Sequence, residues 1–215
     1  MTLTHAEYKT IANNIRPNGQ AFIDGKFCDA ADGTKFETTN PATGQILANV
    51  AHCKAADVDR AVAAARRVFN AGTWSRAEPE ERKEVLLKVA ALVREHTHEL
   101  AVLESLDTGK TINDCMDEIG GEVVNFFQWY AELADKSFGK IAPTGPSALA
   151  LIVKEPAGVA GAVLPWNFPL VMAAWKIAPS LAVGCSAVIK PAEQTPLSTI
   201  RLAELMQEAG VPDGV

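Results

Sequence analysis

Two stretches of this 215-residue chain carry side chains whose types and spacing suit chemistry. The first is Leu164-Pro165-Trp166-Asn167-Phe168-Pro169. Its two prolines each fix their own φ, so the turn is rigid. A carboxamide held on such a turn can aim a neutral N–H donor at an oxygen where negative charge develops, as an oxyanion hole requires. Asn167 is that carboxamide. The second stretch is Lys190-Pro191-Ala192-Glu193-Gln194-Thr195-Pro196. A cation and a carboxylate close together on a loop suit the hydroxyls of a ribose. The same carboxylate would repel a ribose 2′-phosphate, so Glu193 points to NAD rather than NADP.

Both stretches need strands and helices to position them. The apolar run from Gly158 to Pro165 reads as a strand, and Pro169 to Gly184 as a helix that Pro179 should kink or split. Ser186 to Lys190 reads as a buried strand. Thr195 is placed to cap the next helix with Pro196 at its first position, and Gly210 to close it after Ala209. The two stretches are therefore successive strand-to-helix turns, and open α/β sheets bind ligands at such strand ends. The glycine fingerprint GxGxxG is absent from the first turn, so motif rules alone make a weak case for a dinucleotide site.

The residues before them read as scaffold. A polar lead with a short helix over 5–15 precedes a hairpin, Phe22 to Phe27, whose Asp24-Gly25 favours a type I′ turn. Strands follow at 34–39 and 46–51, joined by the turn Asn40 to Gly44. Helical spacing predicts Asp57 to Phe69 with Ala61, Val62, Ala65, Val68 and Phe69 inward, and Glu78 to Glu95 with Val85, Leu86, Val89, Leu92 and Val93 inward. A helix at 98–106 stops at Gly109. Thr111 opens a long helix to Lys136 with Ile112, Cys115, Ile119, Phe126, Phe127, Tyr130 and Leu133 inward. Gly120-Gly121 in its middle predicts a bend or the close approach of another backbone. Trp129 and Tyr130 read as core aromatics in preference to a substrate tunnel. Residues 141–147 form a Pro/Gly-rich link, and Ala148 to Val153 an apolar strand that needs cover on both faces.

Composition narrows the function classes. Hydrophobic residues make up 48% of the chain, which excludes wholesale disorder. The net charge of −6 and the lack of a long basic run argue against nucleic acid. No apolar run reaches the roughly 18–20 residues of a membrane span, and the polar start lacks the apolar core of a secretory signal, so the cytoplasm is the expected compartment. Cys28, Cys53, Cys115 and Cys185 are scattered without a CxxC pair; Cys115 and Cys185 read as packing residues with no partner base. His96 and His98 fall on different faces of a helix and read as surface.

The motifs together resemble the aldehyde dehydrogenase superfamily. The resemblance rests on Pro165 to Pro169, Trp175-Lys176, Lys190 to Pro196, Asn40-Pro41-Ala42-Thr43-Gly44 and Leu106-Asp107-Thr108-Gly109-Lys110, in the family's order and covering nearly all the chain from Phe22. Within the family the texture is similar to bacterial enzymes acting on amino-aldehydes such as γ-glutamyl-γ-aminobutyraldehyde or betaine aldehyde. The resemblance implies an α/β fold: the first part of a doubly wound, Rossmann-like NAD-binding domain with a β/helical lead-in and an oligomerisation-arm strand. It implies residues 1–140 as the lead-in, 141–156 as the link and arm, and 157–215 as the start of the βαβα unit. It implies NAD-dependent oxidation of an aldehyde to the acid through a Cys thiohemiacetal, in a homo-oligomeric parent enzyme.

Site roles also follow from the resemblance. Asn167 matches the oxyanion donor and Lys176 a lysine of the proton relay. Val163, Leu164, Pro165 and Trp166 match the nicotinamide wall, Asn167 is also counted among the cofactor-binding positions, and Lys190, Ala192 and Glu193 match the adenosine-ribose site. Phe168, Met172 and Trp175 fall where the family lines its aldehyde tunnel, although Met172 also suits core packing. Thr38, Thr39, Asp107 and Gln194 match positions that hold a monovalent cation in some members; Asp107 equally suits capping of the loop before Gly109. The family's nucleophilic Cys, general-base Glu and glycine-rich cofactor turn have no counterpart here. The expectation is therefore a chain without the catalytic domain. The competing expectation is a non-catalytic fragment that at most binds nucleotide or other subunits.

Overall fold

A computed structural model describes residues 3–215. The lead helix α1 (His5–Asn14) opens with a full capping box, Thr4 and Glu7 exchanging bonds with each other's backbone N–H. Strands β1 (Ala21–Ile23) and β2 (Lys26–Cys28) form the antiparallel hairpin that Asp24-Gly25 predicts. Both turn residues have positive φ, 54° and 71°, as a type I′ turn demands. Strands β3 (Lys35–Thr39) and β4 (Ile46–Ala51) make a second antiparallel pair.

Four helical segments build the body. Helix α2 (Ala55–Ala71) buries Ala64, Ala65 and Val68. Val62, expected inward, is exposed, because the buried stripe runs through 61, 64, 65 and 68 and leaves 62 beside it. Helix α3 (Pro79–Glu95) begins with Pro at its first position and buries Leu86, Val89, Ala90 and Val93. Helix α4 (Thr97–Thr108) ends at Gly109, whose φ of 79° is the left-handed cap. The histidines around its start are half-buried and partnered, His96 with Glu99 at 2.7 Å and His98 with Tyr8 at 3.2 Å. Then come α5 (Ile112–Asp117), a π-helical turn (Glu118–Val123) and α6 (Val124–Ala134) in one rod.

The π turn explains why the inward face of α6 differs from the expected one. It contains Gly120-Gly121 and adds one residue to the helical repeat. Of the residues expected inward, Cys115, Ile119 and Phe127 are buried, and beyond the π turn the stripe continues through Ala131 and Ala134 in place of Tyr130 and Leu133. Phe126 and Tyr130 become flanking residues, Leu133 is exposed, and Trp129 points away from the core at 65% exposure, so it is no core aromatic.

Strand β6 (Ala150–Ile152) lies within the predicted apolar segment but is not covered on both faces. It pairs with β5 (Lys140–Ala142), a strand the sequence hides in the link, and Ile141, Leu149, Leu151, Ile152 and Val153 are all exposed. A two-stranded ribbon has no second layer of its own.

Strands β7 (Val159–Val163) and β8 (Ser186–Lys190) are parallel, with Val163 opposite Lys190, and α7 (Pro169–Ala182) is the crossover between them. Helices α2 and α7 both pack on β8. On the edge of β8 away from β7, Ala187 N donates to Val215 O at 2.7 Å. Helix α8 (Leu197–Glu208) follows and is closed by Gly210. Pro179 does not split α7: it sits in the last turn, where only a few residues remain to be held. The main core gathers α3, α6, α7 and α8 around Trp74, Leu86, Phe127, Leu170 and Leu202. Each such side chain contributes about 1.5–3 kcal/mol on burial. No helix of the described residues is long and apolar enough to cross a membrane.

Candidate active site

The parallel register brings the two predicted turns side by side. Val163 and Lys190 are partners at the strand ends, and Leu164 N continues the pairing by donating to Lys190 O at 3.0 Å. The turns are then stitched together. Thr195 Oγ1 donates to Trp166 O at 3.1 Å. This corrects the expected role of Thr195, whose hydroxyl is spent on the neighbouring turn rather than on its own helix. Helix α8 starts one residue later, with Pro196 as N-cap and no side-chain cap of its own.

On the first turn, Pro165, Trp166, Asn167 and Phe168 are exposed while Leu164 and Pro169 are buried. The turn is anchored at both ends and offers its middle to solvent. The Asn167 carboxamide makes no hydrogen bond among the described residues, so its N–H donors are available. Val163 and Trp166, 78% and 60% exposed, present apolar surface beside it. Leu164 and Ala192 are buried and can reach a ligand only through their backbones.

On the second turn, Lys190 and Glu193 form an ion pair, both half-exposed. The hydrogen bond from Lys190 holds the Glu193 carboxyl below its ordinary range, so it stays a carboxylate at neutral pH. Lys190, Ala192 and Glu193 also line a cavity of about 380 Å³ with Val58, Ile189 and Met206 in its wall. The wall is mostly apolar, and the Lys190–Glu193 ion pair is part of the lining.

Helix α7 presents the rest. Trp175 is exposed and stacks on Phe126, ring centroids 5.8 Å apart, while the Lys176 ammonium lies 5.3 Å from the Trp175 ring centre. Phe168 is 40% exposed. Met172 is half-buried and packs against the main core, so its side chain serves the core at least in part.

Below the turns lie Thr38, Asp107 and Gln194. Thr38 Oγ1 donates to Asp107 Oδ1 at 2.9 Å and approaches Gln194 O at 3.4 Å. Asp107 Oδ2 accepts from Leu197 N at 3.0 Å and so caps α8 from another element. Asp107 therefore caps this helix and not the loop before Gly109. Three oxygens converge here, an all-oxygen donor set that suits an alkali cation. Thr39 is exposed and its side chain stands apart from that set.

Burial pushes the Asp107 carboxyl up to about 6, outweighing the bonds from Leu197 and Thr38. A raised carboxyl stabilises the fold most below its unfolded value of 3.8, and that contribution is lost as pH rises through about 6. Asp107→Asn will therefore flatten the fall in stability between pH 4 and 6, read from urea midpoints at stepped pH. An unchanged slope in the variant would show that another group carries it.

Two residues to which the sequence alone assigns no role matter here. Glu104, wholly buried on α4, accepts from Leu170 N at 3.2 Å and from Ser198 Oγ at 3.0 Å. Lys110 pairs with Glu118 and sets its ammonium 3.9 Å from the Phe168 ring centre. The available signal was an acid inside the apolar run of α4, on the same helix face as Asp107.

The cysteines are placed away from this chemistry. Cys115 and Cys185 are buried, and burial pushes the Cys115 thiol up to about 12. Burial also raises Cys53, while Cys28 lies under the Arg60 guanidinium at 2.8 Å.

Residues 27–215 match the aldehyde dehydrogenase family model. The chain is 54% identical over 213 residues to the aminoacetaldehyde dehydrogenase of Pseudomonas aeruginosa, covering 99% of this chain and 43% of that protein. It is 47% identical to the NADP/NAD-dependent aldehyde dehydrogenase PuuC of Escherichia coli, covering all of this chain and 44% of the relative. Among solved structures, the indole-3-acetaldehyde dehydrogenase AldA of P. syringae, in complex with NAD+, superposes with a TM-score of 0.97 at 44% identity, over 100% of this chain and 43% of that one. The chain thus spans less than half the length of the relatives it matches.

Proposed function

The chain belongs to the aldehyde dehydrogenase family, and from that premise we propose that it supplies the cofactor wall and the oxyanion donor for NAD-dependent oxidation of an aldehyde to its carboxylic acid. The observation that carries this reading is the pair of stitched turns at the ends of β7 and β8, with Asn167 unpartnered on one and the Lys190–Glu193 pair on the other. The substrate class is an amino-aldehyde, supported by the aminoacetaldehyde dehydrogenase relative. In this reading 1–140 is scaffold, 141–156 an arm that joins subunits of a homo-oligomer through the exposed β5–β6 ribbon, and 157–215 the start of the cofactor fold.

NAD+, when bound, supplies a hydride acceptor. Val163, Pro165 and Trp166 would hold its nicotinamide half by apolar contact and backbone, and Lys190, Ala192 and Glu193 its adenosine ribose. Asn167 donates to the aldehyde oxygen as charge gathers there, and the rigid turn keeps that donor aimed before reaction. Phe168 and Trp175 form an apolar wall that excludes water from the aldehyde carbon, and the Lys176 ammonium stands at its edge for proton exchange with solvent. None of the four cysteines is fitted to be the attacking thiolate, so that role falls to the portion of the relatives' length that this chain does not span. The oxygens of Thr38, Asp107 and Gln194 would hold a monovalent cation beneath the second turn, with Thr39 contributing at most through its backbone.

The same site decides between cofactors. A Glu193 carboxylate facing a 2′-phosphate places like charges together, worth about 1–4 kcal/mol at a separation of roughly 4 Å. The protein carrying this chain will form NADH on addition of an aldehyde, and Glu193→Ser will raise kcat/KM for NADP relative to NAD by about tenfold. An unaltered ratio would remove Glu193 from cofactor selection, and no aldehyde-dependent NADH with the wild-type protein would leave the chain a binding module.

A further inference from the structure

Helix α4 carries two acids one turn apart, and each reaches the first turn of a different helix. Asp107 takes Leu197 N of α8, and Glu104 takes Leu170 N of α7. Neither α7 nor α8 has a side-chain cap of its own, since Phe168 and Pro196 occupy the cap positions. The free N–H groups of both helices are thus satisfied from one distant element.

Glu104 is the more demanding of the two. It has no exposed surface, its Oε2 also accepts from Ser198 Oγ, and its Oε1 has no hydrogen-bond partner among the described residues. Lys110 Nζ stands 4.0 Å from Oε1 and binds Glu118, while Cys115 packs nearby. The Lys110 ammonium also sits under the Phe168 ring. Glu104 therefore grips the residue three places after Asn167, and Lys110 the residue one place after it. A buried acid with one oxygen unsatisfied is a poor device for stability alone, because a well-packed apolar residue does as well or better. Its two bonds, to Leu170 N at the start of α7 and to Ser198 Oγ on α8, point to what it orients.

We propose that Glu104 is a positioning residue for the oxyanion donor: through Leu170 N, and with Lys110 beneath Phe168, it fixes the turn that aims the Asn167 carboxamide. This rests on the oxyanion reading of Asn167. The alternative is a cap that merely stabilises α7.

The two differ in kinetics, measured on the protein as its source makes it. Glu104→Leu keeps the volume and removes the acceptor. Misaiming a catalytic donor by about 1 Å costs on the order of 100-fold, so kcat should fall about 10- to 100-fold with both KM values within about twofold. Glu104→Gln keeps a carbonyl acceptor and should restore kcat to within about threefold of wild type. In an Asn167→Ala background, Glu104→Leu should lower kcat by less than about threefold, because the group it aims is gone. Should Glu104→Leu fail to fold, Lys110→Met tests the second grip: a loss of kcat that vanishes in the Asn167→Ala background supports the proposal. Wild-type kcat in Glu104→Leu, or an equal fractional loss in both backgrounds, overturns it while leaving Asn167 in its role. A full-rate Asn167→Ala enzyme would instead remove the oxyanion reading itself.

Discussion

Asn167→Ala will lower kcat for aldehyde oxidation by about 100–1,000-fold, the loss typical of removing one oxyanion donor. The turn around Asn167 is held by bonds that do not involve its side chain. Leu164 N donates to Lys190 O, Thr195 Oγ1 to Trp166 O, and Met172 N to Phe168 O. Pro165 and Pro169 fix the backbone on either side. The carboxamide itself is exposed and unpartnered among the described residues. Its removal should leave folding within about 0.5 kcal/mol, the usual range for a surface substitution. The loss should therefore appear in catalysis alone. A bond formed as charge develops is stronger in the transition state than in the bound substrate, so kcat should fall while KM for NAD is unchanged. Asn167→Asp should do worse, since it places a carboxylate against a growing negative charge. Steady-state kinetics on the purified variants decide the matter. A kcat within threefold of wild type in the Ala variant would place the oxyanion donor elsewhere.

The sequence showed the turns better than it showed what holds them. Pro165 to Pro169 and Lys190 to Pro196 announce themselves through proline, which constrains the local chain whatever surrounds it. The parallel pairing that brings Val163 beside Lys190 followed from strand–helix–strand order. What stayed hidden was tertiary. Thr195 before Pro196 has the local signature of an N-cap, yet its hydroxyl serves Trp166, and Asp107 from 90 residues away caps the helix instead. Local capping rules cannot see a donor or acceptor brought in by another element. Glu104 was overlooked for the same reason: periodicity treats an acid in a helix as solvent-facing, and only packing reveals two buried donors waiting for it. The Gly120-Gly121 pair did signal a departure from regular helix. It did not reveal that the departure inserts a residue, so that Phe127 stays inward as expected while Leu133 and Trp129 are exposed.

Trp74→Ala will destabilise the fold by about 3–5 kcal/mol, as large-to-small changes at buried aromatics do. Trp74 is 1% exposed in the main core, before α3. Its Nε1 donates to Leu181 O at 2.9 Å, and Arg82 Nε donates to Ala182 O at 3.1 Å. These are carbonyls of the last turn of α7, which has no partners further along its own helix. Pro179 lies in that same turn and cannot donate to the carbonyl four residues before it. Tertiary donors therefore hold the end of α7 that proline weakens. The alanine variant opens a cavity and removes one of the two donors to Leu181 O, leaving Gly184 N at 3.0 Å. Trp74→Phe keeps most of the volume and loses only the donor, and because Leu181 O keeps its bond from Gly184 N the cost should be about 0.5–1.5 kcal/mol. Against a typical total of about 5–15 kcal/mol the first change removes a large share. Urea midpoints give the comparison, and a loss under about 1 kcal/mol for the Ala variant would contradict the packing argument. The Phe variant also separates the two ends of α7. Its weakened C-terminal end lies three turns from the grip of Glu104, so kcat should stay at the wild-type value while stability falls. Aim and stability would then be shown to reside at opposite ends of one helix.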